Sequence, residues 1–137
     1  MTDTALNSLT GLPAFALYFV LAIVLFLVFV RLYTWATPHD EFGLIRDNNT
    51  AAAIAFGGAL IGFAWPLASA ITHSFSLLDC AIWGGIALVV QVLTFFVSTF
   101  ILKQLPQRIT QGELAAGIFS ASCSVGIGML NAACMSY

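Results

Sequence analysis

The chain has 137 residues, of which 61% are hydrophobic and 7% are charged, and its formal net charge is -2. So few charged side chains cannot cover the surface of a soluble domain of this size, and the composition excludes that class. The small negative charge leaves no basic patch for phosphate contacts, which excludes a nucleic-acid-binding protein.

Four long apolar runs contain no Asp, Glu, Lys, Arg or His: Leu12–Val30, Ala51–Ile71, Cys80–Leu102 and Leu114–Met135. A helix needs about 20 apolar residues to cross the hydrocarbon core of a bilayer. The sequence therefore predicts an all-α membrane protein, a single domain over residues 1–137 whose four transmembrane helices lie at about residues 12–32, 50–72, 79–102 and 113–136.

The first run is predicted to be a membrane span and not a cleaved signal peptide. The residues before it include Asp3 and no Lys or Arg, so the cationic segment of a signal peptide is missing. Its interior consists of long aliphatic and aromatic residues, which is typical of a helix that faces lipid. Arg31, Tyr33 and Trp35 follow it as an interfacial belt.

The loop after the first span predicts a short amphipathic helix on the membrane surface. Thr37 is placed to cap it, with Pro38 at the first helical position and Asp40 closing a capping box. The ionisable side chains His39, Asp40 and Glu41 are expected to be solvated.

The run Asn48-Asn49-Thr50 is predicted to cap the second span. Its Ala- and Gly-rich sequence includes Gly58 and Gly62, four residues apart, which is a spacing that lets helices approach closely in lipid. Pro66 is expected to kink this helix, because it removes one backbone hydrogen bond.

The fourth span shares this richness in small residues and carries Gly126. The second and fourth spans are therefore predicted to pack against each other at the centre of the bundle. Thr110 and Glu113 have the spacing of a capping box that opens the fourth helix, which is expected to run to Tyr137.

A candidate polar cluster is predicted where the second span ends. At the rise of a helix, Ser69 and Asn131 each lie about 27–28 Å along their spans, at the level of His73 and Asp79. These four groups could bind a cation or relay protons. Alternatively, His73 and Asp79 are simply turn residues among lipid headgroups, with Asp79 favouring the start of the third helix.

Two polar features have competing interpretations within the membrane. Because Pro66 leaves the carbonyl of Gly62 without its usual donor, Ser69 or Asn131 is expected to bond into this region or to each other. Gln91 lies near mid-membrane, where it either lines a path or joins helices by a hydrogen bond.

The distribution of cations predicts the topology. All four flank the first and third loops: Arg31, Arg46, Lys103 and Arg108. The positive-inside rule then places these loops in the cytoplasm and both termini in the periplasm.

Sliding the chain by 64 residues superposes Ile45 on Ile109 and Gly62 on Gly126, among other matches, which indicates a duplicated two-helix hairpin.

No nucleophile–base pair, phosphate loop or metal-binding pattern is apparent, so no catalytic residue, cofactor or metal is predicted. The three cysteines, Cys80, Cys123 and Cys134, have no paired spacing and are interpreted as small packing residues. The sequence thus favours a protein that is not an enzyme.

The segments TPHDEFGLIRDNNTAAAIAFGGALIGFAWPLASAITHSFSLLD and GMLNAACMSY resemble the YjfL-like bacterial inner-membrane proteins, domain-of-unknown-function family 350. The resemblance covers Thr37–Tyr137. It implies a four-span protein of the bacterial inner membrane with no assigned reaction. It also implies association with envelope-stress proteins of the phage-shock type and with ATP-grasp amine ligases.

Two functional hypotheses follow. The first is a non-enzymatic inner-membrane protein, embedded in the lipid bilayer, that assembles with copies of itself or with envelope-stress partners. The second is a small transport protein or channel with a polar path lined by Gln91, Ser69 and Asn131.

Overall fold

The computed structural model describes residues 2–135, which form an all-helical structure. Its seven helices are α1 (Thr2–Leu9), α2 (Leu12–Ala36), α3 (Glu41–Arg46), α4 (Thr50–His73), α5 (Leu77–Ile101), α6 (Leu105–Thr110) and α7 (Leu114–Cys134). Within the described range, four helical segments are long and apolar enough to cross a membrane: residues 2–36, α4, α5 and α7. The prediction of four spans is confirmed. The predicted continuation of the last helix through Ser136 and Tyr137 lies outside the described residues.

Helices α4 and α7 pack against each other at the shortest distances in the bundle. A Cβ added to Gly58 would overlap Ala121, and one added to Gly62 would overlap the backbone of Ser124. A Cβ on Gly128 would overlap the backbone of Gly62 in turn. Glycine is therefore required at these crossing points, since the two backbones leave no room for a side chain.

Helix α2 is the most exposed of the spanning helices and buries only Phe29 and Tyr33. These two residues are four apart, so they lie on one face of the helix. The Phe29 ring stacks on Phe63 of α4 with centroids 4.6 Å apart, and the Tyr33 ring stacks on Phe56 at 5.9 Å. An aromatic layer therefore attaches α2 to the α4–α7 centre, while its remaining surface is that of the lipid-facing helix expected from composition.

The short helix after the first span begins later than the sequence suggested. Asp40, not Thr37, occupies the N-cap position of α3, and its side chain makes no capping hydrogen bond. Thr37 instead terminates α2, where its N–H bonds to the Tyr33 carbonyl. This shift moves Glu41 to the first position of α3, where it is buried and not solvated.

The capping box predicted for the last span is also replaced by other contacts. Thr110 belongs to α6 and donates its hydroxyl to the Pro106 carbonyl at 2.8 Å. Glu113 occupies the N-cap position of α7 without a side-chain cap, and its carboxylate pairs with Arg108 at 2.9 Å. The predicted pairing fails because α6, a helix absent from the sequence interpretation, takes up the residues before Gln111.

The run Asn48-Asn49-Thr50 was predicted to cap α4, and Asn49 is the member that does so, accepting the N–H of Ala52 at 3.0 Å. Its amide nitrogen also donates to the carbonyls of Ile109 and Thr110 at 3.1 and 3.2 Å. One side chain therefore starts α4 and fixes the end of α6 beside it.

Candidate functional site

The Ser69 and His73 side chains of the candidate polar cluster lie close together. The Ser69 hydroxyl is 3.3 Å from Nδ1 of His73, and the same ring nitrogen is 2.9 Å from the Ser69 carbonyl. Ser69 also donates to the Ala132 carbonyl of α7 at 3.1 Å. This pair therefore links the ends of α4 and α7, with His73 exposed at the last position of α4.

Asp79 forms hydrogen bonds within the first turn of α5. Its N–H donates to the Ser76 hydroxyl at 3.1 Å, and its carboxylate accepts the N–H of Phe75 at 3.1 Å. This is reciprocal capping of a helix start, in which a carboxylate also suits the positive end of the helix dipole. The geometry matches the interpretation of Asp79 as a turn residue.

Asn131 does not form the hydrogen bond that its depth suggested. Its amide nitrogen Nδ2 is buried and has no hydrogen-bond partner, while Ser69 bonds to the carbonyl of the next residue, Ala132. The expected Ser69–Asn131 pair is not formed. Residues at one depth on two helices meet only if both also face the contact, and depth alone does not determine that.

The carbonyl of Gly62 finds its donor on a third helix. Pro66 has no N–H to offer it, and Nε2 of Gln91 donates to it at 3.0 Å. The same nitrogen donates to the Ser124 carbonyl at 3.0 Å. Gln91 of α5 therefore joins α4 and α7, and the expectation that Ser69 or Asn131 would satisfy Gly62 is wrong.

Gly126 lies away from the helix crossing for which it was singled out. A Cβ at Gly126 would meet nothing within 4 Å, whereas Gly117 and Gly128 of the same helix contact α4. Gly126 instead lines an apolar groove of about 680 Å³ between α5 and α7. Because Gly126 has no side chain, this groove stays open on the surface of the bundle.

The most unusual group in the described chain is the Glu41 carboxyl. Glu41 is only 2% exposed, its Oε1 hydrogen-bonds to the Thr37 hydroxyl and lies 3.4 Å from Nε2 of His39, and its Oε2 is buried without a partner. Within residues 2–135, the other ion pair joins Arg108 to Glu113, so neither Lys nor Arg neutralises Glu41.

Burial shifts the proton affinities of both members of this pair toward their neutral forms. It raises the pKa of the Glu41 carboxyl, a shift that the hydrogen bond from Thr37 opposes and the nearby Asp40 charge reinforces. It lowers the pKa of the His39 imidazole, whose side chain is 8% exposed and whose Nδ1 has no partner. The sequence pattern around Glu41 contained no signal for this burial, since three adjacent ionisable residues usually lie in water.

The polar surroundings of Glu41 extend into the bundle through Tyr33. The Tyr33 hydroxyl hydrogen-bonds to Ser120 of α7 and lies near the Glu41 carboxyl. Ser120 and Ser124 are buried on one face of α7 while Ser122 is exposed, as their spacing requires. Within the described residues, no three His, Cys, Asp or Glu side chains converge as a metal-binding set.

Comparison with known proteins identifies the family. The model described as Domain of Unknown Function (DUF350) matches residues 7–135. The chain belongs to the DUF350 family. This confirms the resemblance stated from the sequence and extends it over the first span.

The DUF350 chain is also similar to named bacterial proteins over nearly its whole length. It is 39% identical over 132 residues to the UPF0719 inner membrane protein YjfL of Escherichia coli (strain K12), covering 96% of this chain and 100% of the relative. It is 31% identical over 135 residues to the UPF0719 transmembrane protein YshE of Bacillus subtilis (strain 168), covering 97% and 98%. No solved structure matches it. With four apolar helices and these relatives, the DUF350 chain is a multi-pass inner-membrane protein.

Proposed function

We propose that this protein is a non-enzymatic component of the inner membrane that assembles with further copies of itself. The observation that carries the proposal is the closure of the bundle centre by Gln91. Its amide donates to main-chain carbonyls of α4 and α7, where the close approach of the two helices leaves no room for a side chain at Gly62 or Gly128. A centre of this kind favours a rigid scaffold over a hydrated path.

The surface that best suits a second copy is the apolar groove between α5 and α7. It is lined by Val90, Leu93, Thr94, Val97, Ser98, Ile101, Ser122, Cys123, Gly126, Ile127, Met129 and Leu130. Small residues at the floor, above all Gly126, allow the backbone of another helix to approach closely, which is how helices associate in lipid. The large exposed side chains Val97 and Leu130 at its walls are suited to pack against the same groove of a partner copy.

A leucine at Gly126 tests this interface, because its side chain would occupy part of the groove and a Cβ at this position meets nothing within 4 Å. We expect Gly126→Leu to lose the oligomer when the complex is extracted in native lipid and its mass is measured. Gly57→Leu on α4 is the matched control, since a Cβ there also meets nothing within 4 Å. A wild-type monomer, or an oligomer that Gly126→Leu leaves intact, would overturn the assembly proposal.

The second candidate is a transport protein with a path along Gln91, Ser69 and Asn131. It is favoured by two buried polar atoms without partners, Oε1 of Gln91 and Nδ2 of Asn131. Single cysteines at the three positions, in a chain whose native cysteines are replaced by alanine, separate the candidates. Labelling by a membrane-impermeant, water-soluble thiol reagent at all three would establish the path, and protection throughout would favour the scaffold.

The orientation proposed with this function has both termini in the periplasm. Support comes from the placement of the four cations at one end of the bundle, around the ends of α2 and α5 and on α3 and α6, where Arg31, Arg46 and Lys103 are exposed. Positive residues are retained on the cytoplasmic side. A reporter that works only in the cytoplasm should stay silent when fused after Tyr137, and activity there would reverse the topology.

A duplicated hairpin accounts for the element bounds. Helices α3 and α6 start at Glu41 and Leu105, which are 64 positions apart, and the helices that follow start at Thr50 and Leu114, with the same offset. The linkers repeat a left-handed residue at that offset, with φ 65° at Asn48 and 81° at Gly112. In an experimental structure, α3–α4 should superpose on α6–α7 by rotation about an axis along the membrane normal.

The proposed assembly also includes the partners that the family resemblance implies. They are envelope-stress proteins of the phage-shock type and ATP-grasp amine ligases. Cross-linking in intact cells, followed by purification of the tagged protein, should recover one of these two classes with the wild type. Recovery of neither would restrict the proposed assembly to copies of this chain.

A further inference from the structure

We propose that the Glu41 carboxyl, which is buried beside Thr37 and His39, is a proton-binding site that holds its proton at neutral pH. The site lies at the end of the bundle formed by α3 and α6. It goes beyond the proposed scaffold function, because it assigns a ligand, the proton, to a specific side chain.

The first argument is charge. Glu41 is only 2% exposed, and an ionised carboxylate buried to that extent is unfavourable unless a cation or several hydrogen-bond donors stabilise it. Glu41 has no Lys or Arg within ion-pair distance among the described residues, and the charged neighbour Asp40 has the same sign. Protonation of Glu41 removes this cost.

The second argument is the number of hydrogens on Thr37. Its hydroxyl has one hydrogen but two acceptors in reach, the Thr34 carbonyl at 3.3 Å and Oε1 of Glu41. If Glu41 is ionised, the single Thr37 hydrogen can serve only one of these two acceptors. If Glu41 is protonated, its O–H donates to the Thr37 oxygen, and Thr37 donates to Thr34. Only the protonated acid completes this chain.

The third argument concerns the groups that face Glu41 from each neighbouring element. Tyr33 approaches from α2, and His39 and Asp40 precede α3. Helix α4 packs against α3, and the buried residues of its first two turns are all apolar, namely Ala51, Ala52, Ala55 and Phe56. On α6, Arg108 is paired with Glu113. Among the described residues, the donors that favour the ionised form of Glu41 are the Thr37 hydroxyl and the Glu41 backbone N–H, and no Lys or Arg pairs with it.

The corresponding position of the other short helix shows that packing does not require an acid. Leu105 starts α6 as Glu41 starts α3, and it is 0% exposed. An apolar side chain is thus buried at the first position of α6, where no charge has to be stabilised. The acid at Glu41 therefore supplies a property other than shape, and a bound proton is the property that its surroundings favour.

Proton exchange with solvent is assigned to His39. Its ring nitrogen Nε2 is 3.4 Å from Glu41, and the same side chain lines two clefts of about 330 and 360 Å³ beside Pro38 and Thr110. Burial keeps the imidazole neutral, and a neutral ring can accept a proton at one nitrogen while it donates from the other. His39 is thus positioned between the acid and the open surface.

Infrared spectroscopy of the full chain in lipid discs tests the proposal directly. The wild type at neutral pH should show the carbonyl stretch of a protonated carboxylic acid, and Glu41→Gln should lose that band. The matched control Glu113→Gln should retain it, because the Glu113 side chain is exposed. A wild-type spectrum without this band, or a band that survives Glu41→Gln, would overturn the assignment.

Two further variants keep the test decisive if Glu41→Gln does not fold. Thr37→Val removes the acceptor of the Glu41 O–H, so the carbonyl band should shift in frequency and remain present. His39→Gln should slow deuterium exchange of the carboxyl hydrogen after transfer to heavy water. An unshifted band in Thr37→Val contradicts the proposed hydrogen-bond chain, and unchanged exchange in His39→Gln contradicts the route.

Discussion

Gln91 and Glu41 are buried to nearly the same extent, with 1% and 2% of each residue exposed, yet their partners differ in kind. Gln91 is a neutral amide whose two N–H donors meet two main-chain carbonyls on different helices. Glu41 is an acid with a single close hydroxyl partner and an unpartnered oxygen. The difference teaches that burial alone does not define a functional group. An amide whose two N–H donors are both bonded joins helices, although its Oε1 has no partner, whereas an acid without a Lys or Arg partner is the site where we propose that a proton binds.

The largest effect should come from the crossing that surrounds Gln91. We expect Gly62→Leu to destabilise the protein by about 3 kcal/mol or more, because the added side chain meets the backbone of Ser124, which cannot rotate away. The thermal unfolding midpoint in detergent measures this effect. Gly57→Leu, where a Cβ meets nothing within 4 Å, should stay close to the wild type. Equal effects of the two variants would show that α4 and α7 do not cross at Gly62.

The next effect tests whether Gln91 replaces the donor that Pro66 lacks. Gln91→Leu should cost about 2 kcal/mol, since it leaves the Gly62 carbonyl unsatisfied. Pro66→Ala restores a backbone N–H four residues beyond Gly62, so the double variant should recover part of the loss. A double-mutant cycle of unfolding free energies measures this coupling. Strict additivity would mean that Gln91 and Pro66 do not share the Gly62 carbonyl.

Glu41→Gln should change the pH dependence of stability more than the stability itself. Because the folded-state pKa of Glu41 is raised, the stability it contributes is present below its ordinary value of 4.5 and is lost as pH rises through the folded value. The variant should therefore gain stability relative to the wild type with rising pH.

Unfolding midpoints at several pH values check this prediction. His39 has the opposite pH dependence. Because its pKa is lowered, the stability that it contributes is lost as pH falls below the ordinary value of 6.5. Unfolding midpoints measured above pH 6.5 therefore report the contribution of Glu41 without that of His39. Parallel pH profiles for wild type and Glu41→Gln would remove Glu41 as the titrating group.

The smallest effect is expected at Asn131. Because its buried Nδ2 makes no hydrogen bond, Asn131→Leu should leave the unfolding free energy within about 0.5 kcal/mol of the wild type or raise it slightly. Ser69→Ala, which removes the bond to the Ala132 carbonyl, should cost about 0.6 kcal/mol. Unfolding in detergent compares the two. If Asn131→Leu lost more unfolding free energy than Ser69→Ala, Asn131 would have to make a polar contact after all, as its depth in the membrane suggested.

The sequence by itself determined the class, the four spans and the central pair of helices. Span length follows from the thickness of the hydrocarbon core, and the apolar runs satisfy it without reference to tertiary structure. The small residues Gly58 and Gly62 indicated a close helix contact, because only backbones without bulky side chains approach so near in lipid. Asn49 was predictable as a cap, since its partner Ala52 is three residues away in the chain.

Only the tertiary structure decided which polar groups meet. Gln91 and Gly62 lie 29 residues apart, and their bond depends on the rotation of α5 about its own axis, which the nearly uniform apolar sequence of that helix does not specify. Glu41 is buried because α2 continues to Ala36 and α3 starts after Asp40, which places its side chain against Tyr33 and Thr37. Depth in the membrane is a local property that length determines. Whether two side chains at the same depth point toward each other depends on how the helices pack. The sequence of a single helix does not contain that information.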